Sequence, residues 1–100
     1  MSLSMIVASC TLNLHALSFS HNLKTIASSL QKSYDANASY RLGPELEISG
    51  YSCEDHFLEA DTESHSWEVL AALLKLQYCS TMLCDFGMVV TMKGCRYNCR

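Results

Sequence analysis

The stretch Arg41–Phe57, "RLGPELEISGYSCEDHF", holds the chain's only proline, two of its four glycines, four carboxylates, a cysteine and a histidine. Gly43-Pro44 cannot continue a helix, and Gly50-Tyr51 turns the backbone again, so Glu45 lies between two constrained points. A carboxylate held in this way can be aimed, and an aimed carboxylate among apolar neighbours suits general-base chemistry. A solvated acidic surface loop would have the same composition. The flanking segments therefore decide what the stretch is.

Upstream, "MIVASCTL" (5–12) reads as a buried strand. Ser20 is expected to cap a helix over 21–34, whose apolar face is Leu23, Ile26, Ala27, Leu30 and Tyr34. "DANAS" ends that helix, and Tyr40–Leu42 forms a short strand running into Gly43-Pro44. Downstream, Trp67, Leu70, Ala71 and Leu74 mark the core side of a second helix of about a dozen residues, its start favoured by Asp61, Thr62 and Glu63. "MLCDFGMVVTM" (82–92) reads as one strand, Lys93-Gly94 as a turn, and "CRYNCR" as the next strand. The order strand, helix, strand, loop, helix, strand, turn, strand predicts an α/β layered fold with a parallel crossover and a later hairpin. Glu45 then stands just beyond the carboxyl end of a strand, where layered α/β proteins gather their chemistry. "RYNCR" reads as strand interior, so residues 1–100 are expected to be the first portion of a larger domain.

With 49% hydrophobic and 17% charged residues, the chain belongs to the globular class and is about one domain long. Its longest apolar run, Val69–Leu74, falls far short of the roughly 18 residues a membrane span needs, and "MSLSMIVASC" carries no basic residue ahead of an apolar core. No membrane association is expected. A net charge of -3 with scattered basic residues offers no footprint for nucleic acid.

Six cysteines raise zinc or disulfides. Cys79, Cys84, Cys95 and Cys99 give a loose C-x4-C and C-x3-C, but Cys84 and Cys95 lie in strand-like surroundings without knuckle turns. Reduced, buried thiols and a cytoplasmic location are the expectation. His15, His21, His56 and His65 show no helical i, i+4 pair. No metal site is expected.

"GPELEISGY" resembles the P-E-L-x-x-x-G-Y segment of the nitrilase, or carbon-nitrogen hydrolase, superfamily. Together with "VASCTLN", "LEADTESHSWEVL" and "RYNCR", the wider frame "RLGPELEISGYSCEDHF" is similar to the N-terminal glutaminase domains of eukaryotic glutamine-dependent NAD synthetases. The likeness runs over nearly the whole chain in order.

The resemblance implies an αββα-sandwich fold, of which this chain supplies the first part, and a glutamate-lysine-cysteine triad. Glu45 falls on the general base that deprotonates the cysteine attacking the glutamine amide. Tyr51 falls near the glutamine pocket and inherits a substrate-binding role. The lysine and the nucleophile lie later in the family's sequence. Lys24, Lys32, Lys75 and Lys93 occupy helices or the hairpin turn, and Cys53, despite its local "CED", belongs to the loop after Gly50-Tyr51. The chain alone is expected not to hydrolyse glutamine. Ammonia would pass to a separate domain using ATP and Mg to amidate nicotinic acid adenine dinucleotide, and the full-length parent would be a homo-oligomer. No cofactor is expected in this segment.

Where the family has "LNQWALDF", this chain has "LNLHALSF", placing Leu14, His15 and Ser18 at the changed positions; "GMPV" has become "GMVV". Glu47, Glu54 and Asp55 read as loop-ordering or solvent-facing. A truncated stand-alone amidase of the same superfamily, or a non-catalytic isoform whose exposed edge pairs with a subunit, are the alternative readings. The sequence following Arg100 discriminates among all three.

Overall fold

The structure, a computed structural model, describes residues 4–100; part of the leader reading made on residues 1–10 falls outside them. Strand β1 (Val7–Ser9) leads into helix α1 (Phe19–Asp35), strand β2 (Tyr40–Leu42), a 3-10 turn over Glu54–Leu58 and helix α2 (Ala60–Leu74). After a second 3-10 turn (Gln77–Ser80) come β3 (Leu83–Asp85), β4 (Met88–Met92) and β5 (Cys95–Cys99). β1, β2 and β3 form a parallel sheet in that order, pairing Ser9 with Leu42 and Leu42 with Asp85. Their carboxyl ends are thus level, and the 43–51 turn leaves from the middle one.

The stretch read as one strand over 82–92 is two strands in two sheets. Phe86-Gly87 breaks it, and β4 pairs antiparallel with β5 in a separate hairpin. Gly87 causes the break by packing. A Cβ there would come within 2.6 Å of the Leu46 amide nitrogen and 2.9 Å of the Pro44 carbonyl oxygen. The 44–46 backbone therefore lies directly on Gly87, and the Ile48 amide donates to its carbonyl at 3.3 Å. The Lys93-Gly94 turn is as read. Both residues have positive φ (50° and 80°) between Met92 and Cys95, which face each other across the ladder. This is the twist-matched two-residue hairpin loop.

α2 is rotated relative to its apolar reading, whereas in α1 Leu23, Ile26, Ala27 and Leu30 do pack on the core and only Tyr34 leaves it. α1 begins at Phe19 with Ser18, not Ser20, at its N-cap, and buries Asn22, Ile26, Ser29, Leu30 and Ser33. Its Tyr34 is exposed. α2 buries Thr62, Ser66, Val69 and Leu73, while Trp67 and Leu74, expected in the core, are 46% and 60% exposed. The buried serine hydroxyls are accommodated because each bonds inside its own helix: Ser29 to the Ile26 carbonyl at 2.6 Å, Ser33 to that of Ser29 at 2.8 Å, and Ser66 to that of Thr62 at 2.7 Å; the Thr62 hydroxyl instead donates to the His56 carbonyl in the preceding 3-10 turn at 2.5 Å. Ile26, Leu30, Val69 and Leu73 then meet Ile48, Met82, Phe86 and Met88 in one core. The 43–51 loop supplies Ile48 to that core, so its placement is tied to global packing.

The cysteines are all free thiols, but they are not uniformly buried as expected. Cys53 is buried, Cys95 is exposed, and the others are intermediate.

Candidate active site

The motif "RLGPELE" closes on itself. From β2, the Arg41 guanidinium donates to Glu47 through Nη1 to Oε1 at 2.8 Å and Nη2 to Oε2 at 2.9 Å, with both side chains fully buried. Nη2 also donates to Ser29 Oγ at 2.7 Å and Nη1 to the Asp85 carbonyl at 3.4 Å. The Phe86 ring centroid lies 5.3 Å from the guanidinium carbon. Burial pushes the Glu47 carboxyl upward, opposed by the two hydrogen bonds and charge of Arg41. Glu47 is accordingly loop-ordering but not solvent-facing. A Cβ at Gly43 would overlap the Glu47 carboxylate and the Arg41 guanidinium, so the glycine makes room for the pair under the turn.

Glu45 is raised above this floor. The next residue, Leu46, has φ 50°, a left-handed conformation that costs a non-glycine residue on the order of 1–2 kcal/mol. Such strain is retained where surrounding structure over-determines it. Here the Arg41–Glu47 pair below and Gly87 beside it do so. The exposed Glu45 carboxylate accepts from two elements: the Tyr51 hydroxyl reaches Oε2 at 3.3 Å, and the Asn98 side-chain amide on β5 reaches Oε1. Partial desolvation and the neighbouring Glu45 charge raise the Tyr51 hydroxyl above its ordinary range. Tyr51 is therefore a proton-bearing donor to Glu45 at neutral pH.

The Gly50-Tyr51 turn rests on the departed "LNLHALSF" segment through main-chain atoms. Gly50, at φ 82°, lets its backbone approach His15, whose carbonyl oxygen would lie 2.7 Å from an added Cβ. The Leu17 amide donates to Ser49 O at 2.7 Å. The buried Asn22 side chain accepts from the His15 amide at 2.9 Å and donates to the carbonyls of His15 at 2.9 Å and Ile48 at 3.1 Å. Because His15 is held by its backbone, its side chain is free to vary; the ring is exposed and stacks on His21 with centroids 4.0 Å apart.

Arg100 clamps the hairpin to the turn, donating from Nε to Asp85 Oδ1 at 2.7 Å and from Nη2 to the Gly43 carbonyl at 2.8 Å. Asp85 also accepts from the Tyr40 hydroxyl at 2.6 Å. That bond, and then Arg100, hold the Asp85 carboxyl below its usual range.

The Cys53 thiol points into the loop, donating to the Gly50 carbonyl at 3.2 Å and Ser49 at 3.6 Å. Burial and the adjacent Cys79 thiol push Cys84 up to about 12, which leaves it a thiol and not a thiolate nucleophile. Glu45's side-chain hydrogen bonds are with Tyr51 and Asn98, not with a lysine or cysteine. Asn22 and Asn98 were missed by sequence reasoning, since both act through contacts between distant segments.

Residues 6–100 match the model of the carbon-nitrogen hydrolase family. The chain belongs to that family. Among curated proteins, it is 52% identical over 94 residues to the glutamine-dependent NAD(+) synthetase of Drosophila melanogaster and 50% identical over 94 residues to that of Homo sapiens. Each alignment covers 94% of this chain but only 12% and 13% of those relatives, respectively. The fold superposes on the crystal structure of a glutamine-dependent NAD(+) synthetase from Cytophaga hutchinsonii with a TM-score of 0.86 at 26% identity. That match covers 93% of this chain and 16% of the other. The nitrilase-type α/β fold expected from "GPELEISGY" is thereby shown, and the part matched is the carbon-nitrogen hydrolase domain.

Proposed function

We propose that this segment is the base-bearing part of a glutaminase site in a glutamine-hydrolysing NAD synthetase, with Glu45 the general base and Tyr51 lining the glutamine pocket. The observation that carries this reading is the position of Glu45. It stands on a strained turn at the level carboxyl ends of three parallel strands, locked from below by the Arg41–Glu47 pair.

In the reaction, Glu45 takes the proton of a cysteine thiol supplied by another part of the domain. The thiolate attacks the side-chain amide carbon of glutamine, and a lysine, also from elsewhere in the domain, stabilises the developing oxyanion. The carbon-nitrogen bond breaks as the Glu45 proton passes to the leaving nitrogen, giving ammonia and a glutamyl thioester. Glu45 then deprotonates water, which hydrolyses the thioester and restores the thiol. Tyr51, as a donor to Glu45 Oε2, is one of two side chains that contact the carboxylate engaged in both proton transfers.

Among the described residues no three His, Cys, Asp or Glu side chains gather to hold a metal ion. On this reading, ATP and Mg would be held by a separate amidating domain, and no step above runs through them. A cytoplasmic location and homo-oligomeric assembly of the full protein belong to the same proposal. Among the described residues no helix is long and apolar enough to cross a membrane.

The test is a chimera in which this chain replaces the matching 94 residues of the Homo sapiens relative. NAD formation is measured with glutamine and, separately, with ammonium as nitrogen donor. Both donors are expected to support synthesis. An ammonium-driven rate without a glutamine-driven one would overturn the proposal. The isolated chain is expected to release no ammonia from glutamine.

A further inference from the structure

We infer that Asn98 is a positioning residue for the Glu45 carboxylate in glutamine hydrolysis. The inference rests on the reading of Glu45 as the general base. The two oxygens of Glu45 are held from different directions and by different parts of the chain. Tyr51, six residues on in the same turn, reaches Oε2 at a long 3.3 Å. Asn98 reaches Oε1 from β5, 53 residues away.

A glutamate on an exposed turn has three side-chain torsions to restrain, and one long bond from its own loop restrains them poorly. A second donor on a different element fixes the plane of the carboxylate. It also divides the labour between the oxygens, committing Oε1 to Asn98 and leaving Oε2, with the looser partner, for the migrating proton. A neutral amide suits this task. It donates to the carboxylate without titrating and without the charge of a lysine, which would oppose protonation of the base.

The fold delivers Asn98 with little freedom. It pairs with Val89 in the β4–β5 ladder, and Val89 is fully buried. The two-residue hairpin loop fixes its register. Arg100, two residues on, ties the same strand to the Gly43 carbonyl and to Asp85. β4 leaves Gly87, on which the 44–46 backbone lies. The strain-bearing turn and the strand that steadies its carboxylate therefore share one anchor.

The test uses the chimera described above with Asn98→Ala, Asn98→Asp and, as reference, Glu45→Gln. For Asn98→Ala, kcat for glutamine-driven NAD formation should fall roughly tenfold to a hundredfold, the scale of a misplaced catalytic group. KM for glutamine and the ammonium-driven rate should be unchanged. Asn98→Asp should be at least as slow as Asn98→Ala, because it turns the donor into a like charge against Glu45. A purely structural Asn98 would give the opposite order, since Asp is its isostere. If Glu45→Gln abolishes the glutamine-driven rate while both Asn98 variants keep kcat, or Asp is the milder, the inference is overturned and the base assignment stands. If Glu45→Gln leaves that rate intact, the base assignment itself has failed.

Discussion

Arg41 and Glu47 form a fully buried, two-pronged ion pair across the turn that carries Glu45, at 2.8 and 2.9 Å. A charge pair taken out of water gives little net stability, but removing one partner strands the other. Glu47→Ala is expected to destabilise the chain by about 3–5 kcal/mol, because Arg41, whose Nε lacks a partner among the described residues, would keep only Ser29 and a long bond to the Asp85 carbonyl. The paired replacement Arg41→Met with Glu47→Leu should cost much less. Urea unfolding of both variants checks this, and equal losses would show that the pair is not the reason for the Glu47 cost.

Two glycines separate packing from backbone strain. Gly94→Ala meets nothing within 4 Å and only forces alanine to φ 80°, at a cost of about 1–2 kcal/mol. Gly87→Ala collides with the backbone of Leu46 and Pro44. It should cost about 1–3 kcal/mol and, in the chimera, displace Glu45. The glutamine-driven rate is expected to collapse in Gly87→Ala and to survive in Gly94→Ala. Similar rates for the two would contradict a role for Gly87 in seating the turn.

Glu63 links α2 to the hairpin. Its carboxylate accepts from the Thr91 amide at 3.0 Å, from the Thr91 hydroxyl, and from the Trp67 indole at 3.1 Å. The Thr91 bonds foremost, with Trp67, lower it from its ordinary 4.5 to about 2. A carboxyl depressed in the folded state contributes stability that is complete above its unfolded value and is lost as pH falls through the folded one. The contribution should therefore fade between about pH 4.5 and pH 2. Glu63→Gln, which cannot titrate, should lose less stability than the native chain between pH 5.5 and pH 2.5, as read from urea midpoints. Equal losses would remove Glu63 from the acid response.

At the centre of the core, Leu73 is fully buried in a cluster with residues of both helices and of the 43–51 loop. Leu73→Ala should cost about 2–5 kcal/mol. Trp67→Ala, at an exposed site on the same helix, should cost much less. A larger loss at Trp67, measured by thermal unfolding, would mean that the apolar pattern and not the observed rotation describes α2.

These contrasts mark what could be read in the sequence. The Lys93-Gly94 hairpin and the place of Glu45 beyond the end of β2 follow from local signals: turn residues, and a proline that ends a strand. Other features rest on contacts across long separations. The break at Phe86-Gly87 falls inside a strand-like stretch, and the approach of the 44–46 backbone to Gly87 accounts for it. Asn22 and Ser66 look like solvent-facing helix residues until their internal bonds are seen. Glu47 reads as one more acid in an acidic loop, although Arg41 six residues earlier, beyond a Gly-Pro turn, was a signal for a closed pair. Asn98 had no local signal at all.

If Glu45 moves the proton in glutamine hydrolysis, its amide replacement in the Glu45→Gln chimera removes that step and little else. Glutamine keeps the length and one acceptor oxygen of the side chain but cannot take a proton. The glutamine-driven rate of NAD formation should fall by about 10²–10⁴-fold, with the ammonium-driven rate unchanged. A glutamine-driven rate equal to that of the unsubstituted chimera would mean that Glu45 is not the base.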